Sequence, residues 1–189
     1  MSLNNNMELY HGSYMIVDKP DLAKCNKGKD FGQGFYITTD YNQAKKFVSS
    51  SIRKAKKNGA TVDGKKGYVS VYKMDIDLDY KIYEFKSADS EWLHCVAAHR
   101  RSSLFKNGVL DEWKKYDVII GKIADDTTNQ VITAYIEGLY GEPGTETADN
   151  IAISLLMPER LNNQICIRTD KALDALKFIR YDSIEVIKK

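Results

Sequence analysis

Two short segments near the N-terminus combine residue types that could do chemistry on a bound ligand. They are Tyr10-His11-Gly12-Ser13 and the run Asp-Phe-Gly-Gln-Gly-Phe-Tyr-Ile-Thr-Thr-Asp from Asp30 to Asp40. A histidine at the end of a strand can orient a sugar hydroxyl, and the glycine beside it exposes backbone that can hydrogen-bond an amide. The face of a tyrosine, here Tyr36, can cover a planar aromatic ring. These residues predict a pocket for a ligand that carries both a sugar and a flat ring.

A second aromatic residue follows on the helix predicted after Asp40. Asp40 is typical of an N-cap, and Gln43 would complete a capping box. Apolar residues then recur at helical spacing until Asn58-Gly59 ends the pattern; they are Ala44, Phe47, Val48, Ile52 and Ala55. We therefore expect Phe47 on the buried face of this helix, where it and Tyr36 could enclose a planar ring.

The opposite face of the same helix is basic. Its charged residues are Lys45, Lys46, Arg53, Lys54, Lys56 and Lys57. A solvated helix face explains such a pattern, and binding to an anionic partner such as RNA phosphates is the alternative.

The elements that must position these residues mix strands and helices without regular alternation. Strands are predicted at 8–11, 35–38, 68–74, 81–85, 116–120, 164–168 and 183–187, and further helices at 89–101, 131–139, 147–156 and 170–178. Because no βαβ repeat is present, the pattern indicates the α+β class rather than a doubly wound sheet. We expect a single domain over residues 7–189, since 189 residues suffice for one core.

Composition narrows the function classes. The chain has 43% hydrophobic and 29% charged residues, and its net charge of +2 does not favour nucleic acid as a partner. No apolar run approaches the length of a membrane span, so we expect no membrane association. Three cysteines without paired spacing fit a reducing, cytoplasmic setting. Residues 1–6 are expected to be a vector-derived or disordered N-terminus, with Met7 as the native start.

Other motifs have simpler explanations. Gly32-Gln33-Gly34 lacks the third glycine of a dinucleotide fingerprint and precedes a strand, so a hinge is an equal alternative to ligand binding. His94, Cys95 and His99 on one predicted helix favour packing over shared ligation, and no metal is expected. Asp125-Asp126 could bind a metal or a ribose, and a capped turn before the next helix explains them as well.

The first two segments resemble the ADP-ribosyltransferase superfamily, on the diphtheria-toxin and poly-ADP-ribose polymerase side. Over residues 8–178 the chain also resembles an uncharacterised bacterial family, domain of unknown function 3990. The segments that carry this second resemblance are 30–36, Glu91-Trp92-Leu93, Gly121 to Asp126 and Gln164-Ile165. The resemblance implies an ADP-ribosyltransferase-like fold, with two small, mostly antiparallel sheets and flanking helices.

The resemblance also implies roles for individual residues. NAD would be the substrate, held by His11, Gly12, Ser13, Gly34, Tyr36 and Phe47. In the superfamily a glutamate at the start of a later strand holds the ribose 2′-hydroxyl. Gln164 occupies that position here, so a neutral amide stands where a carboxylate is expected.

This departure divides the functional hypotheses. An amide can hydrogen-bond the hydroxyl, but it supplies no negative charge and cannot act as a general base. The residues that could compensate are Asp125, Asp126, Glu91 and Glu159. The leading hypothesis is an NAD-dependent ADP-ribosyltransferase, a toxin module with a small cognate antitoxin and a macromolecular acceptor. The alternative is a catalytically inactive module that binds NAD or ADP-ribose.

Overall fold

The structure of the protein is a computed structural model that describes residues 3–76, 79–105, 108–124 and 126–186. Its strands and α-helices, in chain order, are β1 (Leu9–Ser13), β2 (Phe35–Ile37), α1 (Tyr41–Lys57), β3 (Lys66–Met74), β4 (Ile82–Glu84), α2 (Ser90–Arg100), α3 (Val109–Lys114), β5 (Val118–Lys122), α4 (Asp126–Ile136), α5 (Glu146–Leu156), β6 (Asn163–Ile167), α6 (Asp170–Asp174) and β7 (Leu176–Glu185). Two short 3₁₀ helices span Leu22–Lys24 and Pro158–Arg160.

The chain divides into two compact units. Unit 1 contains Met1–Asp21, Tyr36–Asp79 and Asp170–Lys189, and unit 2 contains Leu22–Phe35 and Tyr80–Thr169. In the part of the chain that is described, helices combine with two sheets in which antiparallel pairs predominate. The predicted α+β class is therefore confirmed, as are the two small, mostly antiparallel sheets with flanking helices.

Unit 1 consists of a three-stranded antiparallel sheet covered by α1. The strand order is β1-β3-β7. Asp40 caps α1 as predicted, because its Oδ1 accepts hydrogen bonds from the backbone N–H groups of Asn42 and Gln43. The buried face of α1 packs on the sheet through a cluster formed by Ala44, Val48, Ile52, Val69 and Ile184. This packing fixes α1 against β1.

Unit 2 contains the other sheet, whose strand order is β2-β6-β5-β4 and which includes β2 at Phe35. β5 runs antiparallel to β6 and parallel to β4. Gly121 of β5 allows large side chains to approach, because an added Cβ would lie 2.7 Å from the ring of Phe31 and 3.3 Å from that of Trp92. Asp89 caps α2 as predicted, with Oδ1 accepting from Trp92 N.

Two predicted elements near the C-terminus were wrong in extent. The helix predicted over 170–178 ends at Asp174, and the strand predicted over 183–187 begins at Leu176. Pairing with β3, which extends from Leu176 to Glu185 with a register shift between Val71 and Tyr72, outweighs the helical spacing of the local sequence. The six-residue helix α3 was not predicted. Ile187, Met1 and Ser2 lie outside the described residues. In the described part of the chain, no helix has both the length and the apolar character needed to cross a membrane.

Candidate functional site

The edge of β1 that faces away from β3 carries the predicted pocket residues of unit 1. Tyr10 and Thr38 exchange two backbone hydrogen bonds, with N···O distances of 2.8 and 3.0 Å. Alternate residues of a strand present their N–H and C=O groups to the same edge. Those of Gly12 therefore point to the side on which Tyr10 meets Thr38, and Tyr36 is the next residue in register there.

The backbone of Gly12 is the unusual feature of this edge. Gly12 is buried, and outside the β1–β3 ladder none of the described residues hydrogen-bonds to it. Buried N–H and C=O groups are nearly always paired in folded proteins. A donor and an acceptor side by side match a ligand group with the same pair, such as a carboxamide. This edge is therefore our candidate ligand site in unit 1.

The missing side chain of Gly12 has a separate explanation in packing. A Cβ built at Gly12 would lie 1.9 Å from the carbonyl oxygen of Ala44, which belongs to the backbone of α1. Only glycine therefore allows β1 and α1 to approach this closely. The sequence pattern indicated ligand contact as the reason for a glycine here, and the packing requirement depends on Ala44 of α1, which lies more than thirty residues later in the chain.

His11 is oriented by the same edge. Its Nδ1 lies 2.7 Å from the carbonyl oxygen of Tyr36. A carbonyl can only accept, so Nδ1 carries the proton and donates, which makes Nε2 the acceptor nitrogen of the neutral ring. Burial lowers the pKa of His11 below its ordinary value of 6.5, and this keeps the ring neutral at pH 7. A neutral Nε2 can accept a hydrogen bond from a sugar hydroxyl.

The two predicted aromatic residues differ from expectation in one respect. Tyr36 alternates with the buried residues Phe35 and Ile37 and is itself half-buried. The expectation that Phe47 lies on the buried face of α1 was wrong, because its side chain is 41% exposed. At 100° per residue Phe47 falls at the margin of the apolar stripe rather than at its centre. The ring lies on the surface of α1, with Lys54 Nζ over it at 5.2 Å from its centroid.

Ser13 and Gly34, also predicted to contact the ligand, have local structural roles. The Ser13 hydroxyl is buried and accepts a long hydrogen bond of 3.5 Å from Met15 N. Gly34 belongs to unit 2, where a Cβ would lie 2.4 Å from Cys166 Sγ and 2.6 Å from the Ile167 carbonyl oxygen. Close packing against β6 accounts for the glycine at position 34.

Gln164 lies at the start of β6 in unit 2 and is buried, with a relative exposure of 6%. Its Nε2 donates to Asp30 Oδ2 at 2.9 Å and to the Lys122 carbonyl oxygen at 3.2 Å. Asp30 Oδ1 in turn accepts from Arg100 Nη2 at 2.6 Å and from Nε at 3.2 Å. The contact between Asp30 and Gln164 was not predicted from the sequence.

The loop that carries Asp30 is fixed at neighbouring positions. Phe31 is fully buried and stacks on Phe85 at a centroid distance of 5.8 Å. Gly32 has φ of +79°, and a Cβ there would lie 2.6 Å from the His99 ring. These contacts therefore fix the two residues that follow Asp30. No role was predicted from the sequence for the Asp30 carboxylate itself.

The acids proposed to compensate for Gln164 lie elsewhere or cannot be described. Glu91 is exposed and accepts a hydrogen bond from Tyr83 Oη at 2.7 Å. Asp125 lies outside the described residues, and Asp126 begins α4. Among the described residues, the carboxylate that contacts Gln164 is that of Asp30.

The histidines of α2 make separate contacts within unit 2. His94 Nε2 lies 2.7 Å from Asp149 Oδ2, and Asp149 Oδ1 accepts from Tyr135 Oη at 2.5 Å. His99 Nδ1 donates to the Cys95 carbonyl oxygen, at 2.8 Å. Within the described ranges, no group of three or more His, Cys, Asp or Glu side chains is arranged to hold a metal ion.

The two histidines with depressed pKa values predict an acid-sensitive fold. Burial lowers the pKa of His11 and of His99 below 6.5, so the unfolded chain binds protons that the folded chain does not. Stability therefore falls as the pH drops below about 6.5, with a slope of up to about 1.4 kcal/mol per pH unit for each such proton. Urea unfolding between pH 5 and 7.5 measures this slope.

Two variants separate the contributions of the two histidines. His11→Asn and His99→Asn should each make the unfolding free energy less dependent on pH in this range. An unchanged slope in both variants would show that neither histidine causes the acid sensitivity.

Comparison with known proteins assigns the chain to a family. The chain belongs to the family described as "Protein of unknown function (DUF3990)", whose model matches residues 7–178. A comparison with curated proteins finds no match.

Proposed function

We propose that the chain is an NAD-binding protein of the ADP-ribosyltransferase type and that the β1 edge of unit 1 holds the nicotinamide end of NAD. The observation that carries this proposal is the Gly12 backbone, which presents a buried N–H and C=O without a described partner outside the β1–β3 ladder. The nicotinamide carboxamide has one acceptor oxygen and an NH₂ donor. It can therefore pair with both backbone groups of Gly12.

The neighbouring side chains support the same ligand. Neutral His11 offers Nε2 as an acceptor for a ribose hydroxyl, since Nδ1 is held by Tyr36 O. The ring of Tyr36 and the exposed ring of Phe47 are the proposed surfaces for the planar nicotinamide. These assignments follow the superfamily resemblance, and the hydrogen bond between His11 Nδ1 and the Tyr36 carbonyl oxygen supports those of His11 and Tyr36.

Transfer chemistry needs a further group beside the ribose. Breaking the bond between nicotinamide and ribose develops positive charge on the ribose, and a nearby carboxylate stabilises that charge. Under this proposal Gln164 holds the ribose 2′-hydroxyl, and ADP-ribose passes to a macromolecular acceptor. From the family resemblance we further propose that the protein is a toxin that acts in the cytoplasm and is inhibited by a small antitoxin protein.

A specific observation favours the second candidate, a module that binds NAD or ADP-ribose without catalysis. Gln164 is uncharged, and the carboxylate beside it, Asp30, is neutralised by two hydrogen bonds from Arg100. Binding needs only hydrogen bonds and stacking, whereas the reaction also needs negative charge at the ribose. NAD affinity therefore tolerates the amide better than turnover does.

Titration calorimetry with NAD tests the binding proposal, and chromatography of released nicotinamide tests the reaction. We expect saturable binding by the wild type and a loss of at least about tenfold in affinity in Tyr36→Ala, because one ring surface is removed. Tyr181→Ala is the matched control: Tyr181 is a half-exposed tyrosine on β7 of the same unit, and its loss should leave NAD affinity unchanged.

Three outcomes are informative. Binding with nicotinamide release supports the transferase, and binding without release supports the non-catalytic module. Absence of NAD binding by the folded wild type, or equal affinity in Tyr36→Ala, contradicts both candidates.

A further inference from the structure

The Gln164 amide has a defined orientation because of its partners. Its Nε2 contacts two groups that can only accept, the Asp30 carboxylate at 2.9 Å and the Lys122 carbonyl oxygen at 3.2 Å. Both N–H bonds of the NH₂ group are therefore used. None of the described residues hydrogen-bonds to Oε1 of Gln164, so the oxygen is the end that can receive a donor.

Asp30 is itself held in place. Arg100 donates to Oδ1 through Nε and Nη2, and the backbone N–H of Ala124 donates to Oδ2 at 3.3 Å. The Asp30 and Arg100 side chains are only 13% and 18% exposed. A pair this well buried and doubly bonded stays in one geometry. The orientation of Gln164 is consequently set by an ion pair contributed by the glycine-rich loop and α2.

We propose that Asp30 is a positioning residue, which fixes the Gln164 amide so that its oxygen accepts the ribose hydroxyl that a glutamate would accept at this position. The carboxylate of this pair belongs to residue 30 and the amide to residue 164, which are joined by one hydrogen bond. An Asn–Glu pair at the same two positions would have the amide at position 30 and the carboxylate at position 164. This inference rests on the proposed NAD function.

Exchanging the pair tests the inference. Gln164→Glu alone places two carboxylates about 2.9 Å apart, and two carboxylates this close cannot both ionise without a large cost. In the double variant Asp30→Asn/Gln164→Glu, the introduced asparagine can accept from Arg100 and donate to the introduced glutamate. The Lys122 carbonyl oxygen keeps Trp92 Nε1 as a donor, at 3.1 Å. The introduced asparagine turns its NH₂ group toward Ala124 N, which loses the acceptor that Asp30 Oδ2 provides at 3.3 Å. The exchange should therefore restore the hydrogen bond between positions 30 and 164, with the charge at position 164.

The first readout does not involve NAD. Thermal melts between pH 5 and pH 8 should show that Gln164→Glu loses more stability at pH 8 than at pH 5, because one carboxylate must bind a proton. The double variant should regain the wild-type pH dependence. Asp111→Asn is the matched control, because Asp111 pairs with Lys114 on the exposed surface of the same unit and should leave the melting curve unchanged.

The second readout is NAD itself, measured at a temperature at which every variant is folded. Asp30→Asn should weaken NAD binding about tenfold, because an asparagine that accepts from Arg100 presents its NH₂ group to Gln164 and favours turning Oε1 away from the ligand. The double variant should release nicotinamide at least about tenfold faster than either single variant and the wild type, because the charge now lies at position 164.

The outcomes separate the two proposals. If the wild type does not bind NAD, the proposed function fails, and the pH-dependent melts still decide whether positions 30 and 164 are coupled. If the wild type binds NAD but Asp30→Asn binds it equally well, Asp30 is only a structural residue and the inference is overturned. Equal nicotinamide release by Gln164→Glu and the double variant also overturns it.

Discussion

Replacing Gly12 by alanine should destabilise unit 1 strongly and also reduce ligand binding. The new Cβ would lie 1.9 Å from the Ala44 carbonyl oxygen and 2.8 Å from its carbonyl carbon. Both atoms belong to the backbone of α1, so no side chain can rotate away, and β1 must separate from the helix. We expect a loss of about 3 kcal/mol in unfolding free energy, the upper end of the usual cost of overpacking. Urea denaturation followed by circular dichroism measures it.

Gly28→Ala is the control for this substitution. No heavy atom lies within 4 Å of a Cβ built at Gly28, which is exposed in a loop of unit 2. Its unfolding free energy should stay within about 0.5 kcal/mol of the wild type. If Gly12→Ala is as stable as Gly28→Ala, the close approach of β1 and α1 is not a feature of the folded protein.

Arg100→Met should be at least as damaging in unit 2. The substitution removes both hydrogen bonds to Asp30 and the bond from Nη1 to Asn129 Oδ1 at 2.7 Å. Asp30 then becomes a largely buried carboxylate without its counter-charge. Removing one partner of a buried ion pair costs about 3–5 kcal/mol. The same denaturation experiment at pH 7 measures the loss.

Two controls test the physical reason for that loss. Lys114→Met breaks an ion pair whose partners are 68% and 69% exposed, and it should change stability by less than about 1 kcal/mol. Adding Asp30→Asn to Arg100→Met should recover part of the lost unfolding free energy, because the unpaired buried charge of Asp30 is removed. Without such recovery, the cost would come from lost packing of the arginine rather than from the buried carboxylate.

Local sequence signals predicted the elements whose structure is decided locally. Asp40 and Asp89 were recognised as N-caps, because the acceptor oxygen and its N–H donors lie within one helical turn. The residues of α1 that pack on the sheet recur at helical spacing, which a sequence displays directly. The position of Phe47 was misjudged, because a residue at the margin of the stripe is buried or exposed according to what packs beside it.

Features decided by distant parts of the chain could not be predicted. The segment after Asp174 extends as a strand because β3 pairs with it, and β3 lies about a hundred residues earlier. Asp30 and Gln164 are 134 residues apart in sequence, and nothing local to either residue indicates the contact. The same limit applies to Gly12, whose need for a bare backbone comes from the Ala44 carbonyl group on α1.

The residues proposed to bind the ligand were predicted better than the acid that contacts Gln164. His11, Gly12 and Tyr36 were selected from residue type and order, and the structure joins His11 to Tyr36 by a hydrogen bond. The acids expected to compensate for Gln164 were Glu91, Asp125, Asp126 and Glu159, and Asp30, which contacts Gln164, was not among them. Asp30 lies in the glycine-containing segment 30–36, and only the folded chain shows that its carboxylate contacts Gln164.

We propose that the Gly12 backbone hydrogen-bonds the nicotinamide carboxamide of NAD. Heteronuclear NMR of the Gly12 backbone N–H detects this contact. In a titration of the wild type with NAD, the Gly12 N–H resonance should shift saturably. ADP-ribose, which lacks nicotinamide, should leave that resonance in place or shift it far less. If NAD binds and the Gly12 resonance does not move, or if NAD and ADP-ribose shift it equally, the claim is contradicted.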